Sequence, residues 1–445
     1  MFNRKLAKSL KVWKEKPQRK PLILRGARQV GKTTLVTEFS KQFDNYLYLN
    51  LEKKGISELF EKSDELDELI GAAFFFLNIT RKKGTILLFI DEIQNSPKAV
   101  AMLRYFYEEK PEIFVIGAGS LLESVMGRHI SFPVGRVEYM ALRPCSFTEF
   151  LGAIGEHLLA EGLENMSVPV ALHSKLMKHF NEFVLVGGMP EAVQFYATTK
   201  DLIALGEVFE NLLTAYSDDV EKYAENKTLQ RVIRHVINNG WQYAGERIKF
   251  EGFANSPYKS REMGEAMRIL EKTMLLELSY PTSSTILPIL QDIKKSPKLF
   301  WLDTGLVNYF AGFQKELFGN EDISSFRKGK IAEHIIGQEL LTLTDKVSAK
   351  RIYWIRDSRN SQAEVDFLYQ FKGMLVAVEV KSGSNAKLKS LHKFMETANC
   401  NFAIRFWNQP FSTDIIQLSE TKQYTLYNLP FYYACVLDQF LEKNV

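Results

Sequence analysis

Leu22-Ile23-Leu24-Arg25, running directly into Gly26-Ala27-Arg28-Gln29-Val30-Gly31-Lys32-Thr33-Thr34, is the stretch whose reading decides the fold. The second part is a complete G-x-x-x-x-G-K-[ST] phosphate loop. An apolar run precedes it, and the segment from Thr34 to Lys41 behind it reads as helix. Gly26 and Gly31 let the chain wrap tightly and aim main-chain N–H groups at the α- and β-phosphates. The helix that follows adds the positive end of its dipole. Lys32 can reach the β- and γ-phosphates, and the Thr33 hydroxyl can ligate Mg²⁺. All nine residues, Gly26, Ala27, Arg28, Gln29, Val30, Gly31, Lys32, Thr33 and Thr34, are the expected ATP contacts. A glycine turn in an arbitrary loop would lack both the strand before it and the helix after it.

Further along, Thr85-Ile86-Leu87-Leu88-Phe89-Ile90-Asp91-Glu92 supplies the second half of such a site. An unbroken apolar run suits a central parallel strand buried on both faces. Two carboxylates leave its C-terminal end, where open α/β sheets bind their ligands. Asp91 is expected to hold Mg²⁺, mostly through water, and Glu92 to polarise the attacking water. Alone, this would be a strand ending in a polar turn; with the loop upstream it points to hydrolysis as well as binding. Other strands read at Tyr46–Asn50, Ile113–Ile116 and Val137–Leu142, giving a five-strand α/β nucleotide domain over residues 1–143. Phe114-Val115-Ile116 runs into Gly117-Ala118-Gly119-Ser120, so Ser120 either orients water beside the γ-phosphate or belongs to a plain glycine turn.

The bulk composition narrows the class. A chain of 445 residues is too long for one core, while 46% apolar and 25% charged residues are ordinary for a folded protein. A net charge of +4 permits nucleic-acid contact without arguing for it. Cys145, Cys400 and Cys435 are far apart and fit no disulfide or metal spacing, as a reducing compartment would allow. The seven histidines are scattered, with no His-x-x-x-His pair. The lysine-rich N-terminus reads as an amphipathic helix on Leu6, Leu10 and Trp13 rather than a signal peptide. Apolar stretches around 71–77 and 429–437 are too short for a bilayer, so a cytoplasmic protein without a membrane partner is expected. Oligomeric state is not legible.

Residues 144–222 read as a helical lid broken at Gly187-Gly188-Met189-Pro190. Residues 223–315 combine helices with two strand-like runs, Met274–Tyr280 and Lys298–Leu302, in the order of a winged helix-turn-helix. Met263, Ala266, Met267 and Leu270 form one apolar stripe there. The opposite face mixes Arg261, Glu262, Glu265, Arg268 and Lys272, less one-sidedly basic than a DNA-reading helix should be, so a packing module is the competing reading.

The last region, 316–445, opens with a helix from Lys328 to about Thr344, followed by strands at Arg351–Arg356, Ala363–Gln370 and Met374–Lys381. Asp366 is separated by twelve residues from Glu379-Val380-Lys381. Alternation puts Glu379 and Lys381 on one strand face, and Glu364 and Asp366 likewise share a face. Carboxylates converging from adjacent strands make a hard oxygen site for Mg²⁺. A lysine beside them can position hydroxide and stabilise charge on a scissile phosphate. This is the D-x(n)-[DE]-x-K pattern of the restriction-endonuclease-like fold, and Glu333 falls where that fold often supplies a further acid. The plain alternative for Glu379 and Lys381 is a surface ion pair.

Taken together, Gly26–Thr34, Leu49–Glu52, Phe89–Gln94, Gly135–Phe150, Gly187–Val193, Leu302–Leu306, Glu364–Phe367 and Glu379–Lys381 resemble a family of prokaryotic AAA-type ATPases. Its C-terminal domain is related to PD-(D/E)xK nucleases, and the resemblance spans essentially the whole chain. It implies ATP binding, slow hydrolysis and no settled physiological substrate. With Mg²⁺ expected from the residues themselves, the cofactors are ATP and Mg²⁺, and a nucleic-acid partner, DNA ahead of RNA, is a further expectation. The resemblance also implies Arg136 as an arginine touching the γ-phosphate, although the sequence alone allows Arg136 an ordinary surface carboxylate. The usual proline before the nuclease aspartate is replaced by Val365. Two other readings compete with an ATPase that moves its C-terminal domain: an ATP-controlled Mg²⁺-dependent nuclease, and a non-enzymatic ATP-switched binding module.

Overall fold

Runs of apolar and β-branched residues close the N-terminal third into a single sheet. The computed structural model describes residues 3–119, 133, 135–219, 224, 226–312, 326–356, 363–381 and 388–445. Ser120 lies outside them. Strands β1 (Leu22–Arg25), β2 (Asn45–Asn50), β3 (Ile86–Asp91), β4 (Ile113–Ala118) and β5 (Glu138–Ala141) are all parallel, in the order β2-β3-β4-β1-β5. They stand where the sequence places them to within two residues. Every residue of β3 is buried, because helices cover both faces of the sheet. Leu87 and Phe89 pack under α1 (Leu6–Glu15) and α2 (Lys32–Ser40). Leu88 and Ile90 pack under α3 (Lys54–Lys62), α4 (Leu66–Phe76) and α5 (Pro97–Glu109). The amphipathic N-terminal helix thus belongs to the core, with Leu10 and Trp13 fully buried. Edge strand β5 is not left bare: the Ala141 N–H donates to the Asp345 carbonyl at 2.7 Å.

Helices α6 (Phe147–Ala153), α7 (His157–Glu164), α8 (His173–Val186), α9 (Pro190–Thr199) and α10 (Leu205–Asp218) follow. Ser146 and Glu149 close a capping box on α6. Gly187, at φ 72°, turns the chain between α8 and α9, the break read from the double glycine. Next come α11 (Lys227–Asn239), α12 (Ser260–Lys272), β6 (Leu276–Ser279), β7 (Pro281–Thr282), β8 (Lys298–Trp301) and α13 (Thr304–Phe310). Strands β6 and β8 pair antiparallel, and the Met263, Ala266, Met267 and Leu270 stripe of α12 is buried as expected.

The C-terminal region begins with α14 (Phe326–Thr342) and continues through β9 (Tyr353–Ile355), β10 (Glu364–Val365), β11 (Phe367–Phe371) and β12 (Met374–Val380). Then come α15 (Lys389–Thr397), β13 (Phe402–Trp407), β14 (Ser412–Gln417), β15 (Gln423–Pro430) and α16 (Leu437–Asn444). Five strands form a mixed sheet in the order β11-β12-β13-β15-β14, and β10-β9-β7 form a smaller one that joins the middle region to this domain. The strand expected over Ala363–Gln370 is corrected: it breaks at Asp366 into β10 and β11, which belong to different sheets. The Asp366 side chain takes the Val380 N–H at 2.8 Å, ending the main-chain ladder there. A single apolar cluster runs from Cys145 to Leu441, so the middle and C-terminal regions share one core. No helix among the described residues is long and apolar enough to cross a membrane.

Candidate nucleotide site and a second carboxylate site

The loop between β1 and α2 takes its shape from two glycines. Gly31 has φ 94°, a backbone that L side chains avoid. A Cβ on Gly26 would lie 2.6 Å from the Leu142 carbonyl oxygen, so only glycine fits against β5. Inside the loop the Lys32 ammonium is buried and donates to the carbonyls of Gly26 and Ala27, each at 2.9 Å. Burial pushes its pKa down, the carboxylates of Glu92 and Asp91 oppose that, and Arg28 adds to it.

Parallel pairing brings the other half of the site alongside. Thr33 Oγ1 donates to Asp91 Oδ2 at 2.7 Å, and Tyr48 Oη donates to the same oxygen at 3.2 Å. Burial and Asp91 push the Tyr48 phenol up to about 12, so it remains a donor. Glu92 follows with φ 52° and ψ 43°, and Gln94 Nε2 donates to its Oε2 at 2.5 Å. Arg28 makes an ion pair with Asp219 at the end of α10. Gln29 and Thr34 are exposed at the loop surface and Val30 is buried. A hydroxyl and a carboxylate meeting at the C-terminal edge of the sheet form a hard oxygen pair suited to Mg²⁺.

Two anchors hold this loop from outside. The Arg4 guanidinium donates to the Val30 carbonyl at 3.0 Å, to Glu149 at 3.1 Å and to the Arg143 carbonyl at 2.5 Å. Pro190, first residue of α9, packs against Gly31. The Gly188 N–H just before α9 donates to the buried Asp303 carboxylate at 2.5 Å, and Asp303 also caps α13 through the Leu306 N–H at 3.1 Å. Two motifs of the sequence, Gly187–Val193 and Leu302–Leu306, are thereby joined.

Arg136 is not brought to the loop of its own chain. It precedes β5, whose Glu138 pairs with Leu22 at the start of β1, so it lies at the opposite edge of the sheet. Its Nε donates to Glu108 Oε1 at 2.9 Å, the surface pairing the sequence also allowed.

Asp366, Glu379, Lys381 and Glu333 do come together. Lys381 Nζ lies 2.6 Å from Glu379 Oε1 and 3.8 Å from Asp366 Oδ2. Glu379 is buried rather than a surface partner, and its Oε2 has no hydrogen-bond partner among the described residues. Glu333 turns to a residue the sequence did not single out: Lys298 Nζ stands 2.5 Å from Glu333 Oε1 and 2.5 Å from Glu364 Oε1. Arg247 pairs with Glu364 as well. Burial and neighbouring acids push the Glu333 and Glu379 carboxyls up, although lysines oppose the shift. Burial works against the Lys298 charge too, but the facing carboxylates win and its pKa rises. Among the described residues, no group of three or more His, Cys, Asp or Glu side chains stands ready to share one ion.

Comparison with known proteins places a family match on each part. Residues 18–151 match the AAA domain model, 177–317 match a domain of unknown function (DUF8612), and 328–425 match another (DUF4143). The N-terminal third, with its phosphate loop and parallel five-strand sheet, is therefore similar to AAA domains. An uncharacterized protein of Methanocaldococcus jannaschii, MJ1544, is 25% identical over 78% of this chain and 71% of its own. Among solved structures, the Walker-type ATPase PABY2304 of Pyrococcus abyssi is similar over 70% of this chain and 96% of that one, at 15% identity and a TM-score of 0.45. The RuvB Holliday junction branch migration motor of Thermotoga maritima covers 66% and 93%, at 15% identity and 0.27. The functional reading rests on the loop and its matched domain rather than on these distant likenesses.

Proposed function

We propose that the chain is an ATPase: it binds ATP with Mg²⁺ on residues 26–34 and hydrolyses it. The observation that carries this is the Thr33–Asp91 contact at 2.7 Å beside a buried Lys32 whose hydrogen bonds, among the described residues, go to main-chain carbonyls. An ammonium with neutral partners is free to exchange them for phosphate oxygens. In this reading Lys32 leaves Gly26 and Ala27 for the β- and γ-phosphates, while Thr33 and Asp91 hold the ion. When bound, Mg²⁺ would neutralise charge developing between those phosphates. Glu92, steadied by Gln94, then orients a water for attack. Arg4 and Pro190 tie the loop to the helical lid, so lid position would follow nucleotide state.

The C-terminal cluster supports a nuclease-like reading of that domain, in which Asp366 and Glu379 would hold Mg²⁺ and Lys381 would position the attacking water. The orphaned Glu379 Oε2 fits such an ion. The helix, helix and β6–β8 hairpin order supports a winged-helix-like module that would meet DNA ahead of RNA. Phosphate release by wild type and Lys32→Ala, with and without single-stranded, duplex and branched nucleic acid, tests the proposal. Lys32→Ala should lose at least about 100-fold of turnover. Turnover at the wild-type rate in that variant would overturn the ATPase reading, and stimulation by nucleic acid would connect the two ends of the chain.

A further inference from the structure

The C-terminal acids already have cations, and one of these comes from another part of the fold. Lys298 begins β8 of the middle region, yet its ammonium lies between Glu333 on α14 and Glu364 on β10. Its side chain is 4% exposed, and Nζ also stands 4.9 Å from the Tyr353 ring centre. Among the described residues, four carboxylates, Glu333, Glu364, Asp366 and Glu379, therefore face three cations, Lys298, Lys381 and Arg247. Glu333 and Glu364 are turned to Lys298, which among the described residues leaves Asp366 and the unpartnered Glu379 Oε2 without a third acid. A divalent ion needs several oxygen donors at once, and a fixed ammonium competes with it for the same charge.

We propose that Lys298 is a tethered counter-cation: it holds Glu333 and Glu364 away from a divalent-ion site whose other ligands are Asp366 and Glu379. Ion affinity at the C-terminal domain is then set by the position of the middle region, because β8 carries the lysine. Removing the charge frees two carboxylates and opens the site to Mg²⁺ or Mn²⁺. This goes beyond the nuclease-like reading and is read by metal binding, so a chain that cuts no nucleic acid leaves it standing.

Mn²⁺ titration followed by electron paramagnetic resonance, on the full nucleotide-free chain, tests it. Lys298→Gln should bind Mn²⁺ at least about tenfold more tightly than wild type, and adding Asp366→Asn should abolish the gain. Lys298→Arg, which keeps the charge, should stay at the wild-type value. Unchanged affinity in folded Lys298→Gln, or a gain that survives Asp366→Asn, would overturn the proposal. Should Lys298→Gln fail to fold, wild type and Asp366→Asn alone decide. Weak binding indistinguishable between them supports the lock, and tight wild-type binding lost in Asp366→Asn sinks it.

Discussion

Lys32 rests on the carbonyls of Gly26 and Ala27, whereas Lys298 rests on the carboxylates of Glu333 and Glu364. Both ammonium groups are buried, and burial pushes both pKa values down. Only Lys298 has anions close enough to reverse the shift. The difference teaches what each site lacks. The N-terminal site keeps a positive charge paired with neutral dipoles and so favours an incoming anion. The C-terminal site is nearly balanced, so an incoming ion must first displace a charge already there.

Stability measurements break or uphold this contrast most sharply. Lys298→Met should cost about 2–3 kcal/mol in urea unfolding, because it leaves the part-buried Glu333 and Glu364 without their shared ammonium. Lys32→Met should stay within about 1 kcal/mol of wild type, since no ion pair is lost. Equal losses would erase the distinction. Next in size, Glu92→Gln should lower phosphate release about 100-fold while a non-hydrolysable ATP analogue still binds. Loss of binding instead would make Glu92 part of the grip rather than of the chemistry.

A pH series sharpens the comparison at the seam between the regions. Burial raises Glu339 to about 8 and Asp303 to about 6. The folded state therefore holds protons that the unfolded chain has released, and stability falls as pH rises through roughly 4 to 8. Glu339→Gln should flatten the upper part of that fall, on the order of 1 kcal/mol per pH unit. A slope unchanged between pH 6 and 8 would remove Glu339 as its source. The smallest effect belongs to Arg136→Ala, which should leave turnover within about twofold because its exposed pair contributes little. A loss of about 100-fold would mean that Arg136 reaches the loop of another copy.

What was legible follows from locality. Gly26–Thr34, Asp91 and Glu92 were readable because one loop and one strand end carry them at fixed spacing. Asp366, Glu379 and Lys381 were readable from strand alternation, although the break at Asp366 was not. Tyr48, Arg4 and Lys298 left no signal, since each reaches its site from an element whose own pattern only announces packing. Lys298 heads the run Lys298-Leu299-Phe300-Trp301, which reads simply as the start of a buried strand. The role of Arg136 came from resemblance alone, and within one chain the residue stands away from the loop, paired with Glu108. The expected strand Val137–Leu142 already put it at the beginning of a parallel strand, away from the edge where ligands collect.

The apolar cluster extending from Cys145 to Leu441 has a practical consequence. Family matches partition the chain at seams near residues 151–177 and 317–328, inviting dissection into cassettes. Yet Glu339 of α14 accepts the Phe147 N–H at 2.9 Å, and Gln338 accepts the Thr304 N–H at 2.8 Å. A gene cut at the second seam would bare greasy surface on both fragments and orphan those amides. Recombination could hardly trade the halves separately, so they should be inherited, expressed and turned over as one piece.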